Sequence, residues 1–75
     1  MHRVPVESSS IAGVGYDADA VMLEVEFVTG RVYRYVGVPA YIHDAFLTAP
    51  SKGHFFNALI RDRYIYEDIT RDAGR

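Results

Sequence analysis

The chain has 75 residues, a net charge of −2 and no cysteine, and it is 49% hydrophobic, 13% aromatic and 24% charged. That composition excludes a disordered segment, a disulfide framework and a thiolate metal centre, and the length allows one domain with a small core. The acidic balance argues against holding nucleic acid by bulk electrostatics, which needs clustered positive charge.

A single domain is expected over residues 1–75, with an ordered core at about 8–69 and a frayed tail at 70–75. Ser8-Ser9-Ser10 is a polar lead-in, and "SIAGVGYD" (10–17) reads as a strand whose two glycines mark a bulge. Asp17 to Ala20 is a turn. "VMLEVEFV" (21–28) is the clearest strand, with Leu23, Val25 and Phe27 on one face and Glu24 and Glu26 on the other. Thr29-Gly30 then turns the chain into "RVYRYV" (31–36), antiparallel to it.

The turn type decides where Tyr33 and Tyr35 point. A plain two-residue loop pairs Phe27 with Val32 and puts both tyrosines beside the glutamates on the outer face. A type I turn with a glycine bulge pairs Phe27 with Arg31, Val25 with Tyr33 and Leu23 with Tyr35. The second register is preferred, because Arg34 then faces Glu24 and the aromatics are buried together. Threonine before glycine also suits the bulged turn better than the positive φ of type I′.

Pro39 opens a helix over 39–49, where Tyr41/Ala45/Ala49 and Ile42/Phe46 recur at helical spacing, and Pro50 stops it. His43, beside Asp44, is expected on the solvent side of it. Ser51 caps a second helix, "KGHFFNALIRD", with Phe55/Leu59 and Phe56/Ile60 as its buried stripe. "YIYEDI" (64–69) is extended chain or a short edge strand. The sum is an α+β fold: a three-stranded antiparallel meander packed on one face by a helical hairpin. Leu23, Val25, Phe27, Ile42, Phe46, Phe56, Leu59 and Ile60 are its expected core.

Several chemical motifs fail on context. "GVGYDA" (13–18) matches a dinucleotide fingerprint, but a turn and a strand follow it instead of a helix. Asp17-x-Asp19 begins like a calcium loop, yet lacks the glycine and the acidic residue that such a loop needs later. The three histidines have no metal-site spacing, and no nucleophile–base pair is recognisable. No metal, no cofactor and no enzymatic activity are expected.

Charge leaves one local opening. Residues 1–50 carry three arginines against six acids, and residues 51–75 five basic against four acidic residues. Ser51, Lys52, Gly53 and His54 open the second helix, whose free N–H groups and dipole favour an anion such as a phosphate. Arg61 and Arg63 are outlying contacts, and Tyr33 and Tyr35 are candidate stacking surfaces for bases. The competing view is an ordinary capped helix and ordinary core tyrosines.

Together "SSSIAGVGYD", "LEVEFVTGRVYRYVGVP" and "SKGHFFNALIRDRY" resemble the KTSC domain, named for the C-terminal end of some lysyl-tRNA synthetases. The resemblance covers roughly residues 8–69. It rests on Tyr33-Arg34-Tyr35, Gly30 before them, Val38-Pro39 after them, and Ser51, Gly53, Phe56 and Asn57. By association with the synthetase it implies RNA as a partner, and it implies no catalytic residue or cofactor. The expectation is a small binding module, with RNA as the favoured ligand. The alternative is a protein-interaction domain that attaches to a larger enzyme or complex, or to itself. The apolar stretches are too short to span a membrane and the first residues lack a signal-peptide core, so no membrane partner and a cytoplasmic location are expected.

Overall fold

In the computed structural model of the chain, which describes residues 3–70, the central hairpin takes the bulged register. Strands β3 (Met22–Phe27) and β4 (Val32–Val36) pair Leu23 with Tyr35, Glu24 with Arg34 and Val25 with Tyr33. At the turn the Gly30 N–H donates to the Phe27 carbonyl (2.9 Å) and the Phe27 N–H to the Arg31 carbonyl (2.8 Å). Gly30 sits at φ +96°, where a side chain would be strained. Its glycine therefore sets the register, and the register sends both tyrosines to the apolar side.

The sheet is larger than the expected three strands. Among the described residues it has five, in the order β1-β2-β3-β4-β5 with every pair antiparallel. The additions are β1 (Arg3–Pro5) and β5 (Tyr66–Asp68), three-residue edge strands on either side. β5 takes the edge-strand alternative expected for 64–69, whereas β1 is too short for alternation to reveal and contains a proline, a residue confined to strand edges. β1 thus pairs with the sheet ahead of the segment expected to begin near residue 8. Thr70 is anchored through its hydroxyl, which accepts from the Val32 N–H at 2.8 Å. The rest of the expected tail lies outside the described residues.

β2 (Ile11–Asp17) carries the bulge, at Ala12 beside Gly13. One extra residue reverses the pleat, so Ile11 and Val14 share the core face although three positions separate them. Asp17 Oδ1 accepts from the Asp19 and Ala20 N–H groups in the following turn. Val21 ends that turn at φ +56°, an uncommon conformation for a β-branched residue.

Helices α1 (Ala40–Thr48) and α2 (Lys52–Leu59) follow β4 and cover one sheet face. Pro39 is the cap of α1 rather than its first residue, one position off. The core joins Ile11, Val14, Leu23, Val25, Tyr35 and Val38 to Phe46, Phe56 and Ile60, with Phe27 and Ile42 packed against it. Leu59, expected in the core, is 36% exposed. There the helix ends, and the Phe56 carbonyl takes both the Ile60 and the Arg61 N–H. The chain turns away, so Ile60 is buried and Leu59 is not. Tyr41 is exposed and Ile42/Phe46 is the buried stripe of α1. His43 is not on a solvent face: it stacks on Tyr16 at 4.7 Å, and the Tyr16 hydroxyl donates to the Val38 carbonyl at 2.7 Å.

The helix-free face is charged but not uniformly wet. Arg3, Gly15, Glu24, Arg34 and Glu67 stand in register across all five strands. Gly15 has no side chain, so the Arg3 guanidinium passes over it to Glu24, which Arg34 approaches from the other side at 3.4 Å. Glu24 lies on the outer face opposite Arg34, as expected, yet is only 4% exposed. The stems of long arginines cover it.

Candidate functional site

An open groove of about 430 Å³ runs between the β3–β4 turn, the Ser9-Ser10 lead-in and α2. Phe27, Tyr33 and Phe56 line it, with Ser9, Ser10, Thr29, Asn57, Arg31 and Arg61 around them. A second hollow of about 300 Å³ is lined by Tyr33, Tyr35, Phe56, Arg61, Asp62 and Tyr66. Tyr33, Phe56 and Arg61 line both, so the two form one surface.

Five rings lie along it. Phe27 meets Tyr33 and Phe56 edge-on, each at 5.3 Å, and Tyr35 meets Phe56 edge-on at 5.6 Å. Tyr66, brought in by β5, tilts over Tyr33 at 4.8 Å and over Tyr35 at 5.6 Å. Edge-to-face pairs suit the ring quadrupoles and hold the cluster rigid. Tyr66 is half-exposed and Tyr33 half-buried, so both offer ring surface to a ligand.

Tyr35 differs from them. It is 1% exposed, yet it lines the smaller hollow, and its hydroxyl has no hydrogen-bond partner among the described residues. Burial, then the neighbouring Tyr33 and Tyr66, push its pKa up to about 12, so the hydroxyl stays neutral, both donor and acceptor.

The cations are differently committed. Arg31 pairs with Asp68, which raises the arginine's pKa. Asp68 is held below the usual carboxylate range, by the Thr70 hydroxyl and N–H first and by Arg31 after them. Arg61 is exposed and has no carboxylate partner within ion-pair distance among the described residues. No carboxylate of the described residues lines the larger groove.

Of the residues singled out in the sequence, Tyr33, Tyr35, Gly53 and Arg61 come together here. Ser51, Lys52, His54 and Arg63 do not line either hollow. The Ser51 hydroxyl accepts from the His54 N–H at 3.2 Å, and Lys52 Nζ donates to the Ala49 carbonyl at 2.6 Å, tying α2 to the end of α1. Gly53 has a packing role: a Cβ there would stand 2.9 Å from Ser10 Oγ. Sequence reasoning missed Ser9, Ser10, Phe27, Thr29, Arg31 and Tyr66 as groove residues. They come from three distant segments, and only the hairpin register and the β5 pairing unite them. Among the described residues no cluster of histidine and acidic side chains could hold a metal, and no helix is long and apolar enough to cross a membrane.

The comparisons with known proteins agree with one another. A solved KTSC domain protein from Yersinia pestis superposes with a TM-score of 0.89 at 43% identity, covering 91% of this chain and 96% of that one. An uncharacterized protein of Stutzerimonas stutzeri is 42% identical over 64 residues, 85% of this chain and 90% of its own length. A lysine–tRNA ligase of Trichormus variabilis is 34% identical over 64 residues, where the match takes up 11% of the ligase. The KTSC domain model matches residues 7–64, and with that match over most of its length the chain belongs to the KTSC domain family.

Proposed function

We propose that the domain is a non-enzymatic module that binds single-stranded RNA along the groove between the β3–β4 hairpin and α2. The observation that carries it is the join of the Tyr33 and Tyr66 rings to Arg31 and Arg61 across two adjoining hollows, the larger of which no carboxylate of the described residues lines. Rings stack on bases of any identity, and arginines alongside meet the phosphates. This mode needs few cations, which suits a chain of net charge −2. The likeness to part of a lysine–tRNA ligase supports RNA as the partner, since a ligase of that name acts on tRNA.

The test is a titration of a fluorescent uridine pentamer at several salt concentrations. Wild type should bind with a measurable salt dependence, and Arg61→Ala should lower the slope by about one unit. Absence of binding at millimolar protein would overturn RNA as the ligand. A contact with another protein, or with a second copy, would then be sought by pull-down with and without nuclease.

A further inference from the structure

The smaller hollow has features that stacking and phosphate contacts do not use. Its volume of about 300 Å³ is at the lower end of ligand sites, which span about 300–1,000 Å³. It is lined by a carboxylate, Asp62, which opposes a phosphate there. Opposite charges share its rim, since Arg61 lines it too. Tyr35 also lines it, and its hydroxyl makes no hydrogen bond to a described residue. The hydroxyl, donor and acceptor at once, is therefore free to meet a ligand in the hollow.

We propose that this hollow takes a guanine base, stacked against Tyr66 and Tyr33. The source of the base rests on the RNA-binding function proposed above. Among the common bases only guanine presents two neighbouring N–H donors on one edge, at N1 and N2, and two neighbouring acceptors, O6 and N7, on another. A single carboxylate accepts from the first pair, and an arginine donates to the second. Asp62 and Arg61 are that complementary set. The Tyr35 hydroxyl, donor and acceptor at once, pairs with a remaining ring or exocyclic atom. Adenine offers no N1–H and would leave the carboxylate unmatched. Uracil and cytosine offer a single donor group at that edge and less ring to stack.

Uridine pentamers with guanine, hypoxanthine or adenine at the centre, and free GMP, provide the experiment, read by fluorescence anisotropy or by competition. The guanine pentamer should bind wild type about tenfold more tightly than the adenine one, with hypoxanthine, which lacks the N2 amine, between them. Asp62→Ala should erase the preference, so that the guanine and adenine pentamers bind alike, and a tenfold preference kept by the variant would overturn the assignment. Equal affinity of wild type for all three pentamers would overturn the guanine slot while RNA binding stood. Binding of GMP with no binding of any pentamer would support the slot and overturn RNA as its source. No binding of either would overturn both.

Discussion

The two faces of the sheet are closed in different ways. On one, Val14, Leu23, Val25 and Tyr35 meet Phe46, Phe56 and Ile60 from the helices, an apolar interior of the usual kind. On the other, no helix of the described residues lies over the sheet, and Arg3 and Arg34 converge on Glu24, with Glu67 and Glu26 at 3.9 and 3.3 Å from their guanidinium groups. The described residues form two short helices, enough for one face. Arginine stems and a paired carboxylate do on the second face what phenylalanines do on the first. The covered face, being rigid, is also where the groove forms: its aromatic rim continues past the helices as Tyr33 and Tyr66.

Phe46→Ala should break the covered face outright. Phe46 is fully buried, and truncating a buried phenylalanine costs about 3–5 kcal/mol. That rivals the whole stability of a small domain, so the melting transition should fall sharply or vanish. A melting temperature near wild type would show that α1 does not hold the core.

Alkali should weaken the same face by a different route. In the unfolded chain Tyr35 ionises near pH 10.0, and in the folded one near 12, so between those values only the unfolded state loses its proton. Stability should therefore decline as pH rises from about 10 to 12, by up to about 2–3 kcal/mol. Tyr35→Phe should flatten that decline in denaturant titrations. An equal decline in the variant would assign it to other groups.

The open face should yield less. Arg34→Ala removes one of the two partners of a carboxylate that is 4% exposed. Leaving a buried acceptor short of partners costs about 1–3 kcal/mol, and the lower half applies because Arg3 remains and Arg34 is itself one-third exposed. By contrast Arg31→Ala, which breaks the exposed pair with Asp68, should cost less than Arg34→Ala does. If the two variants lose equal stability, the Glu24 cluster is not acting as a second core.

How far the sequence discloses this contrast depends on the range of the interactions. The hairpin register was legible, because the threonine–glycine turn, the Glu24–Arg34 pairing and the burial of Tyr35 all pointed to one alignment. The capped start of α2 was legible for the same local reason. Arg3 reaching over Gly15 to Glu24 was not, since a three-residue strand with a proline carries no periodic signal and its partner lies 21 positions away. Nor was the groove, whose walls come from Ser9-Ser10, the β3–β4 turn and α2. Lys52 illustrates the limit: its charge near a helix start suggested an anion site, but its ammonium is hydrogen-bonded to the preceding helix.

The most direct test of the claim that the groove face is the working face is an amide-shift titration with single-stranded RNA. If RNA lies in the groove, the amides of Tyr33, Gly53, Asn57, Arg61 and Tyr66 move together and saturate with one dissociation constant, while those of Glu24, Gly15 and Arg34 on the open face hold still. Shifts centred on the Arg3–Glu24–Arg34 row, with the groove silent, would contradict it.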